Sequence, residues 1–158
     1  MAEIPPVAQA MGHIPSGLFI LTVGRGEAAT GLLTSFVQQA GFDPLTATVA
    51  IKKERAVVDL IREERAFCLS ILHEGSRHLL AHFAKGFEEK ESVFRGLSTE
   101  LCELGIPYLS DSHGHLVCEL VGEATWSDHV LFCGQIVSGA CHDDGEPWVH
   151  VRKSGLGY

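Results

Sequence analysis

Apolar residues are concentrated in short segments of the chain that turn residues separate from one another. β-branched and aromatic residues are frequent in these segments, which favours strands over helices. The six predicted strands are residues 18–23, 31–37, 46–51, 67–72, 113–126 and 129–141. Gly122 and Gly134 interrupt the last two, and we interpret both as bulges or bends.

Two further segments follow a helical period instead. In residues 56–66 the apolar side chains fall on one side of a helix and the charged ones on the rest. Residues 76–87 begin with a serine that can cap a helix and end near a glycine. The charged segment 88–94 is predicted to be a loop or a helical turn. Six or more short strands with two helices indicate an antiparallel sheet that closes on itself, with helices at its rim.

The predicted strand 31–37 departs from the alternation expected when one face of a strand is wet. Thr34 and Ser35 place two hydroxyls in succession, two glutamines follow, and Asp43-Pro44 must turn the chain. Three cations come directly after the next predicted strand, at Lys52, Lys53 and Arg55. If the two strands are neighbours, hydroxyls and cations together predict an anion site that suits a phosphate ester. A solvated basic turn is the alternative interpretation.

Length and composition indicate one globular domain, residues 1–158, with 46% hydrophobic and 20% charged residues. No apolar run approaches the roughly 20 residues that a membrane span needs. The first residues lack the basic start and apolar core of a signal peptide, so we expect a cytoplasmic protein.

The net charge of −8, from 12 Lys and Arg against 20 Asp and Glu, argues against nucleic acid as a partner. The five cysteines form no C-x-x-C pair. Cys68, Cys118 and Cys133 lie in apolar runs, where a reduced cysteine behaves as a small hydrophobic residue, and we predict buried structural thiols.

Several histidines are candidates for chemistry. Asp128 and His129 lie at the tight junction of the last two strands, where a loop histidine can donate a proton or orient a ligand. A polar hairpin turn explains the same residues. Two histidine pairs have a spacing that puts both rings on one face, but four zinc ligands cannot be named, so we predict no metal site. These pairs are His78 with His82 and His113 with His115.

Taken together, these segments resemble the flavin reductase-like group of FMN-binding split barrels. The resemblance is strongest to the reductase module at the C-terminal end of flavodiiron proteins. It spans nearly the whole chain in the family's order. The matching segments are 13–24, 31–55, 67–75, 82–87, 127–129 and 150–158.

The resemblance implies a mainly β fold with short helices: a six-stranded antiparallel split barrel of Greek-key type that forms a homodimer with one FMN per subunit. It implies that Thr34, Ser35, Phe36 and Val37 run along the flavin. Lys52, Lys53 and Arg55 would lie toward the phosphate, and Phe83, Ala84 and Lys85 would close that end. Asp128 and His129 match the family's G-D-H motif, in which the histidine lies beside the flavin and the nicotinamide. This chain departs from the pattern at Ser127, which replaces the glycine, and near Ser70, where relatives often have an asparagine.

The implied function is an NAD(P)H-dependent flavin reductase that binds FMN, or FAD in its place, and takes hydride from NADH or NADPH. The flavodiiron core is absent from the sequence, so the chain would act alone or pass electrons to a separate protein. An FMN-binding electron carrier without NAD(P)H oxidation of its own is the first alternative, and a related barrel that binds haem through histidines is the second. No G-x-G-x-x-G fingerprint is present, so the dinucleotide would bind transiently over the flavin.

Overall fold

The structure is a computed structural model that describes residues 2–87 and 91–158. Antiparallel strands dominate it, and three short α-helices lie among them. The strands are β1 Phe19–Val23, β2 Thr30–Thr34, β3 Val37–Phe42, β4 Leu45–Lys52, β5 Ala66–Ile71, β6 Thr99–Leu101, β7 Pro107–Leu109, β8 Gly114–Thr125 and β9 His129–Cys141. The helices are α1 Pro6–Gly12, α2 Ala56–Glu64 and α3 Arg77–Ala84.

The main sheet closes because its two edge strands are consecutive in the chain. Its strand order is β2-β1-β5-β8-β9-β4-β3, while β6 pairs only with β7. Ser35 and Phe36 alone separate β2 from β3. Two residues can span only about 7–10 Å, so the sheet must curl until its edges meet. The Ala50 N–H donates a 2.9 Å hydrogen bond to the Phe36 carbonyl at this seam.

The structure confirms a mainly β, antiparallel fold but differs from the prediction in the number of strands. The predicted strand 31–37 is wrong at residues 35 and 36, because the chain leaves β2 after Thr34 and begins β3 at Val37. The main sheet in the described residues therefore has seven strands where the resemblance implied six. The second and third predicted strands are neighbours only at one end: residues 30–34 pair with β1, whereas Val37 pairs with Val49 of β4.

Helix α2 is shorter than predicted but buries the predicted face. Val57, Val58 and Ile61 join the core formed by β1, β4, β5, β8 and β9. Each buried side chain of this size contributes about 1.5–3 kcal/mol through apolar burial. The helix ends at Arg65, which adopts the left-handed conformation with φ of 59°. That ending directs the chain at once into β5.

Helix α3 packs on the opposite part of the sheet through Leu79 and Phe83. Ser76 precedes the helix, as predicted, but its hydroxyl does not cap the helix. The Ser76 hydroxyl instead accepts the His73 N–H at 2.8 Å and donates to the His73 carbonyl at 3.0 Å. The predicted charged loop 88–94 lies partly outside the described residues.

The cysteines largely follow the prediction. Cys68 and Cys118 are fully buried, whereas Cys133 is half-buried and Cys141 is exposed. Burial raises the pKa of the Cys118 thiol to about 12 and also raises that of Cys68. Both thiols are therefore protonated, unreactive packing groups at neutral pH.

No helix within residues 2–87 and 91–158 combines the length and the apolar character that a membrane crossing requires.

The two glycines of the long hairpin play different roles. The register of β8 shifts between Leu120 and Gly122, which confirms a bulge there. Gly134 lies opposite that bulge in an unbroken β4–β9 ladder. A Cβ on Gly134 would lie 2.8 Å from the Cys118 Cβ and 2.9 Å from the Phe67 ring. Gly134 therefore serves close packing, and its interpretation as a bulge is wrong.

We expect Gly134→Ala to lower the free energy of unfolding by about 1–3 kcal/mol, because the added methyl overpacks the core. Gly122→Ala is the matched control, since a Cβ there meets nothing within 4 Å among the described atoms. Urea unfolding of both variants measures the difference. Equal midpoints for the two variants would contradict this account of Gly134.

Candidate functional site

Two neighbouring cavities flank the seam between the sheet edges. Their volumes are about 510 Å³ and about 570 Å³, and we call them the first and the second cavity. Ala50, Lys52 and Tyr158 line both of them, so they share one wall. The first cavity contains Thr34, Lys52, Arg55, Phe83 and Ala84 of the predicted site, and the second contains Ser35, Phe36, Val37, Asp128 and His129.

The first cavity has the composition of an anion site. Lys52 ends β4, and Arg55 stands directly before α2. The first turn of α2 also reaches the cavity through Ala56 and Val57. The N–H groups and the dipole at a helix N-terminus favour negative charge, as do the two cations and the neighbouring Thr34 hydroxyl.

The remaining predicted cations lie elsewhere. Lys53 and Lys85 lie outside both cavities. The Lys53 N–H donates to the Asp128 carbonyl at 3.1 Å, and its side chain is exposed. The Lys85 ammonium lies 5.7 Å from the centroid of the Phe87 ring. The structure thus divides the predicted group of three cations, because consecutive residues at the end of β4 point to opposite sides.

His129 begins β9 and lies in the second cavity, oriented by its neighbours. Its Nδ1 lies 2.7 Å from an Asp128 carboxylate oxygen, to which Ser127 also donates at 3.0 Å. The hydrogen bond from His129, and then the one from Ser127, lowers the pKa of Asp128. An ionised carboxylate can only accept, so His129 Nδ1 carries a proton. In the neutral ring Nε2 then accepts the hydrogen bond of the Tyr158 hydroxyl.

Phe36 is the centre of a group of flat side chains in the same cavity. Its ring centroid lies 5.4 Å from that of His129 and 5.4 Å from that of Tyr158. The Arg152 guanidinium lies 5.3 Å from the Phe36 centroid. The group presents an apolar, partly aromatic surface with cationic and imidazole edges, which suits a planar heteroaromatic ligand.

Two residues of this site, Arg152 and Tyr158, were not predicted. Arg152 donates to the Ser35 hydroxyl across 117 positions of sequence. Its Nε atom is buried and finds no hydrogen-bond partner within the described part of the chain. The resemblance did include the segment 150–158, but it assigned no role there. The presence of a cation and an aromatic residue in that segment was the sequence signal that could have identified them.

The histidines of the two spaced pairs contact other groups. His78 Nε2 lies 3.0 Å from an Asp111 carboxylate oxygen, and His82 Nε2 lies 2.7 Å from the Val93 carbonyl. His115 contacts the exposed residue His142, with a nitrogen–nitrogen distance of 2.8 Å. His113 Nδ1 lies 2.7 Å from an Asp143 carboxylate oxygen, so each histidine of the two pairs contacts a different group.

Comparison with known proteins agrees with this architecture. The family model described as "Flavin reductase like domain" matches residues 11–155. Diflavin flavoprotein A 1 of Synechocystis sp. is 37% identical over 152 residues, which cover 95% of this chain and 26% of that protein. The chain thus spans about a quarter of the length of the curated relatives that it matches.

Solved structures share the fold at low identity. The NADH:FAD oxidoreductase SgcE6 of Streptomyces globisporus has a TM-score of 0.85 at 20% identity, with 96% of this chain and 93% of that chain covered. The flavin reductase PheA2 has a TM-score of 0.78 at 21% identity, with 90% of each chain covered. The family model covers nearly the whole chain and the sequence relatives agree with it, so the chain belongs to the flavin reductase-like domain family.

Proposed function

We propose that this chain is an NAD(P)H-dependent flavin reductase that binds FMN and passes the electrons to an acceptor. The observation that carries the proposal is the shared wall between a cationic cavity and an aromatic cavity that holds His129. FMN combines a dianionic phosphate with a planar ring, so its two ends call for these two environments. Family membership and the oxidoreductase names of the structural neighbours support the same reaction.

The residues present fit such a cofactor. Lys52 and Arg55 would hold the phosphate, with the Thr34 hydroxyl beside them. Phe36 and Val37 would lie along the ring. The buried Arg152 Nε supplies a donor that the described protein atoms leave unused. An unpaired buried donor costs about 1–3 kcal/mol, which an acceptor atom on a ligand would recover.

When bound, the flavin supplies the chemistry, accepting hydride at its ring. This chain's residues supply position and electrostatics. Asp128 fixes the His129 ring through Nδ1, so that Nε2 faces the second cavity. His129 would orient the nicotinamide and hold a proton near the ring without receiving the hydride.

One observation favours the electron-carrier alternative. The Tyr158 hydroxyl bonds to His129 Nε2, and the Tyr158 ring lines both cavities. In that position the Tyr158 hydroxyl uses the hydrogen-bonding capacity of His129 Nε2, the atom that would otherwise contact a nicotinamide. Because Tyr158 is exposed, it can also move away when a dinucleotide binds.

We further propose that residues 1–158 act as a single domain and form a homodimer. The hairpin β3–β4 supports the dimer, because Phe42 and Leu45 pair at its tip and are 86% and 52% exposed. Large apolar side chains exposed together at a strand end are typical of an interface. We retain the expectation of a cytoplasmic protein with no nucleic-acid partner.

The reductase proposal is tested by adding NADH or NADPH to the flavin-loaded protein without oxygen. We expect the flavin to be bleached. We expect His129→Ala to keep FMN bound but to slow bleaching by about 10- to 100-fold, which corresponds to roughly 1.4–2.7 kcal/mol of lost positioning. Dithionite needs no docking and should reduce parent and variant alike. A parent that dithionite reduces but neither dinucleotide bleaches would be the electron carrier.

The phosphate site is tested by single charge reversals. Lys52→Glu and Arg55→Glu should each weaken FMN binding by at least about 10-fold, since a charge-assisted bond contributes about 1.5–3 kcal/mol. Lys53→Glu is the matched control, because Lys53 lies outside both cavities. Fluorescence titration with FMN, FAD and riboflavin measures the three variants. Riboflavin has no phosphate and should bind all of them similarly, and an equal loss of FMN affinity in the control would place the phosphate elsewhere.

The dimer is tested by light scattering at several protein concentrations. We expect the parent to have twice the chain mass and Phe42→Asp to shift it toward the monomer. Leu101→Asp is the matched control, because Leu101 is also a large apolar residue, 69% exposed, but lies in β6, outside the main sheet. A monomeric parent, or two variants with the same mass as the parent, would contradict the proposed interface.

A further inference from the structure

Three side chains from distant parts of the sequence converge at the opposite end of the β8–β9 hairpin from His129. His73 follows β5, His113 precedes β8, and Asp143 follows β9. The strand ladder brings them together, since Ile71 pairs with Gly114, and Gly114 with Cys141. Their ligand atoms all lie within 4.8 Å of one another.

The distances within this group are those of a site for one small ion. His113 Nδ1 lies 2.7 Å from one oxygen of the Asp143 carboxylate, and His73 Nε2 lies 3.4 Å from the other. Ligands about 2.0–2.1 Å from a tetrahedral zinc ion are about 3.3 Å from each other. The His73–Asp143 distance already matches this value, and the His113–Asp143 pair needs to open by only about 0.6 Å.

The group is built into the fold, and its carboxylate is the part most exposed to solvent. The side chains of His73 and His113 are 15% and 11% exposed, while that of Asp143 is 39% exposed. The Gly145 N–H donates to the carboxylate at 2.8 Å and fixes its orientation. A Cβ on Gly75 would lie 2.8 Å from the His73 ring, and one on Gly145 would lie 3.0 Å from its Nδ1. The two glycines thus allow the backbone to pass close to the His73 ring on both sides, where a larger residue would contact the ring too closely.

We propose that His73 Nε2, His113 Nδ1 and the Asp143 carboxylate bind a divalent first-row transition ion, with water completing the coordination. Two imidazoles and one carboxylate suit Zn²⁺ and its neighbours, whereas Mg²⁺ and Ca²⁺ require oxygen ligands. The ion takes the place of the hydrogen bond between His113 Nδ1 and Asp143, and the neutral His113 ring then carries its proton on Nε2. This site is separate from the two cavities and does not depend on the proposed function.

A simple hydrogen-bonded pair does not explain the arrangement. The chain offers such a pair for comparison in His78 and Asp111, which lie 3.0 Å apart and are both about half exposed at the surface. In the His73–His113–Asp143 group, one carboxylate faces two largely buried imidazoles from two other segments. Convergence of three ligands on one point, rather than a single contact, is what a metal ion requires.

The ion would fasten the start of the C-terminal segment to the sheet. Asp143 leads into residues 147–158, which carry Arg152 and Tyr158 to the second cavity. The Trp148 N–H donates to the Leu72 carbonyl at 2.9 Å just beyond the group. A bound ion would therefore link the start of the C-terminal segment, at Asp143, to the ends of β5 and β8.

The test uses the full chain after removal of metals with a chelator. Calorimetric titration with ZnCl₂ should show one tight site per chain, and Co²⁺ should give the visible absorption of a low-coordinate N/O site. His73→Gln and Asp143→Asn should each weaken Zn²⁺ binding by more than about 100-fold, because each removes a direct ligand. His78→Gln is the matched control and should retain the parent affinity.

Asp143→Asn keeps the size of a half-exposed side chain, so it remains informative if His73→Gln fails to fold. The thermal midpoint of each variant without metal serves as the check of folding. Equal Zn²⁺ affinity in Asp143→Asn and the parent would overturn the proposal, as would the absence of a stoichiometric site in the folded parent. Weak binding that all variants retain would come from other surface histidines and would overturn it too.

Discussion

The two-residue connection between β2 and β3 is the constraint on which the rest of the structure depends. Because Ser35 and Phe36 alone join the two edge strands, the sheet cannot stay open. The curling of the sheet brings the end of β2 to the start of β3 and encloses the core. It also leaves a seam where Ser35 and Phe36 lie outside the regular ladder. Both cavities lie along that seam.

The C-terminal segment, residues 147–158, forms the remaining wall of the second cavity. Ser16 and His150 form a bridge, and the Arg152 N–H donates to the Gly12 carbonyl at 2.9 Å. These backbone bonds hold the segment beside α1 and direct Arg152 and Tyr158 toward Phe36. The second cavity is therefore assembled from both ends of the described chain. Its chemistry depends on contacts that local sequence cannot encode.

Features formed by neighbouring residues could be predicted from the sequence, whereas features formed by residues far apart in the chain could not. Strand 46–51 was recognisable because it is rich in the β-branched residues Thr, Val and Ile, and β4 extends it by only one residue at each end. The Ser127-Asp128 junction was recognisable because turn residues lie between two long apolar runs. In contrast, the break at Ser35 and Phe36 has only a weak local signature, since its cause is the closure of the whole sheet. Hydroxyls in succession hinted at it without giving its form.

The sequence alone also could not show which individual cations reach the candidate site. Sequence spacing grouped Lys52, Lys53 and Arg55, but only the strand register shows which of them enter a cavity. Histidine spacing likewise favoured pairs on one element, whereas His73, His113 and Asp143 come from three elements that meet only through the β5–β8–β9 ladder. Residues brought together by long-range pairing become visible only when the register is known.

Lys52 shows how one register position links the two halves of the candidate site. The β4–β9 ladder places Lys52 directly opposite His129. Its ammonium lies 5.6 Å from the centroid of the Tyr158 ring, and its side chain lines both cavities. Side chains alternate between the faces of a strand, so a slip of one residue would place Lys53 here and turn Lys52 away. The hydrophobic positions Val49 and Ile51 prevent that slip, because both are buried in the core and a shift would expose them. The packing of the barrel interior therefore fixes the position of Lys52, which would lie beside both a bound anionic group and His129.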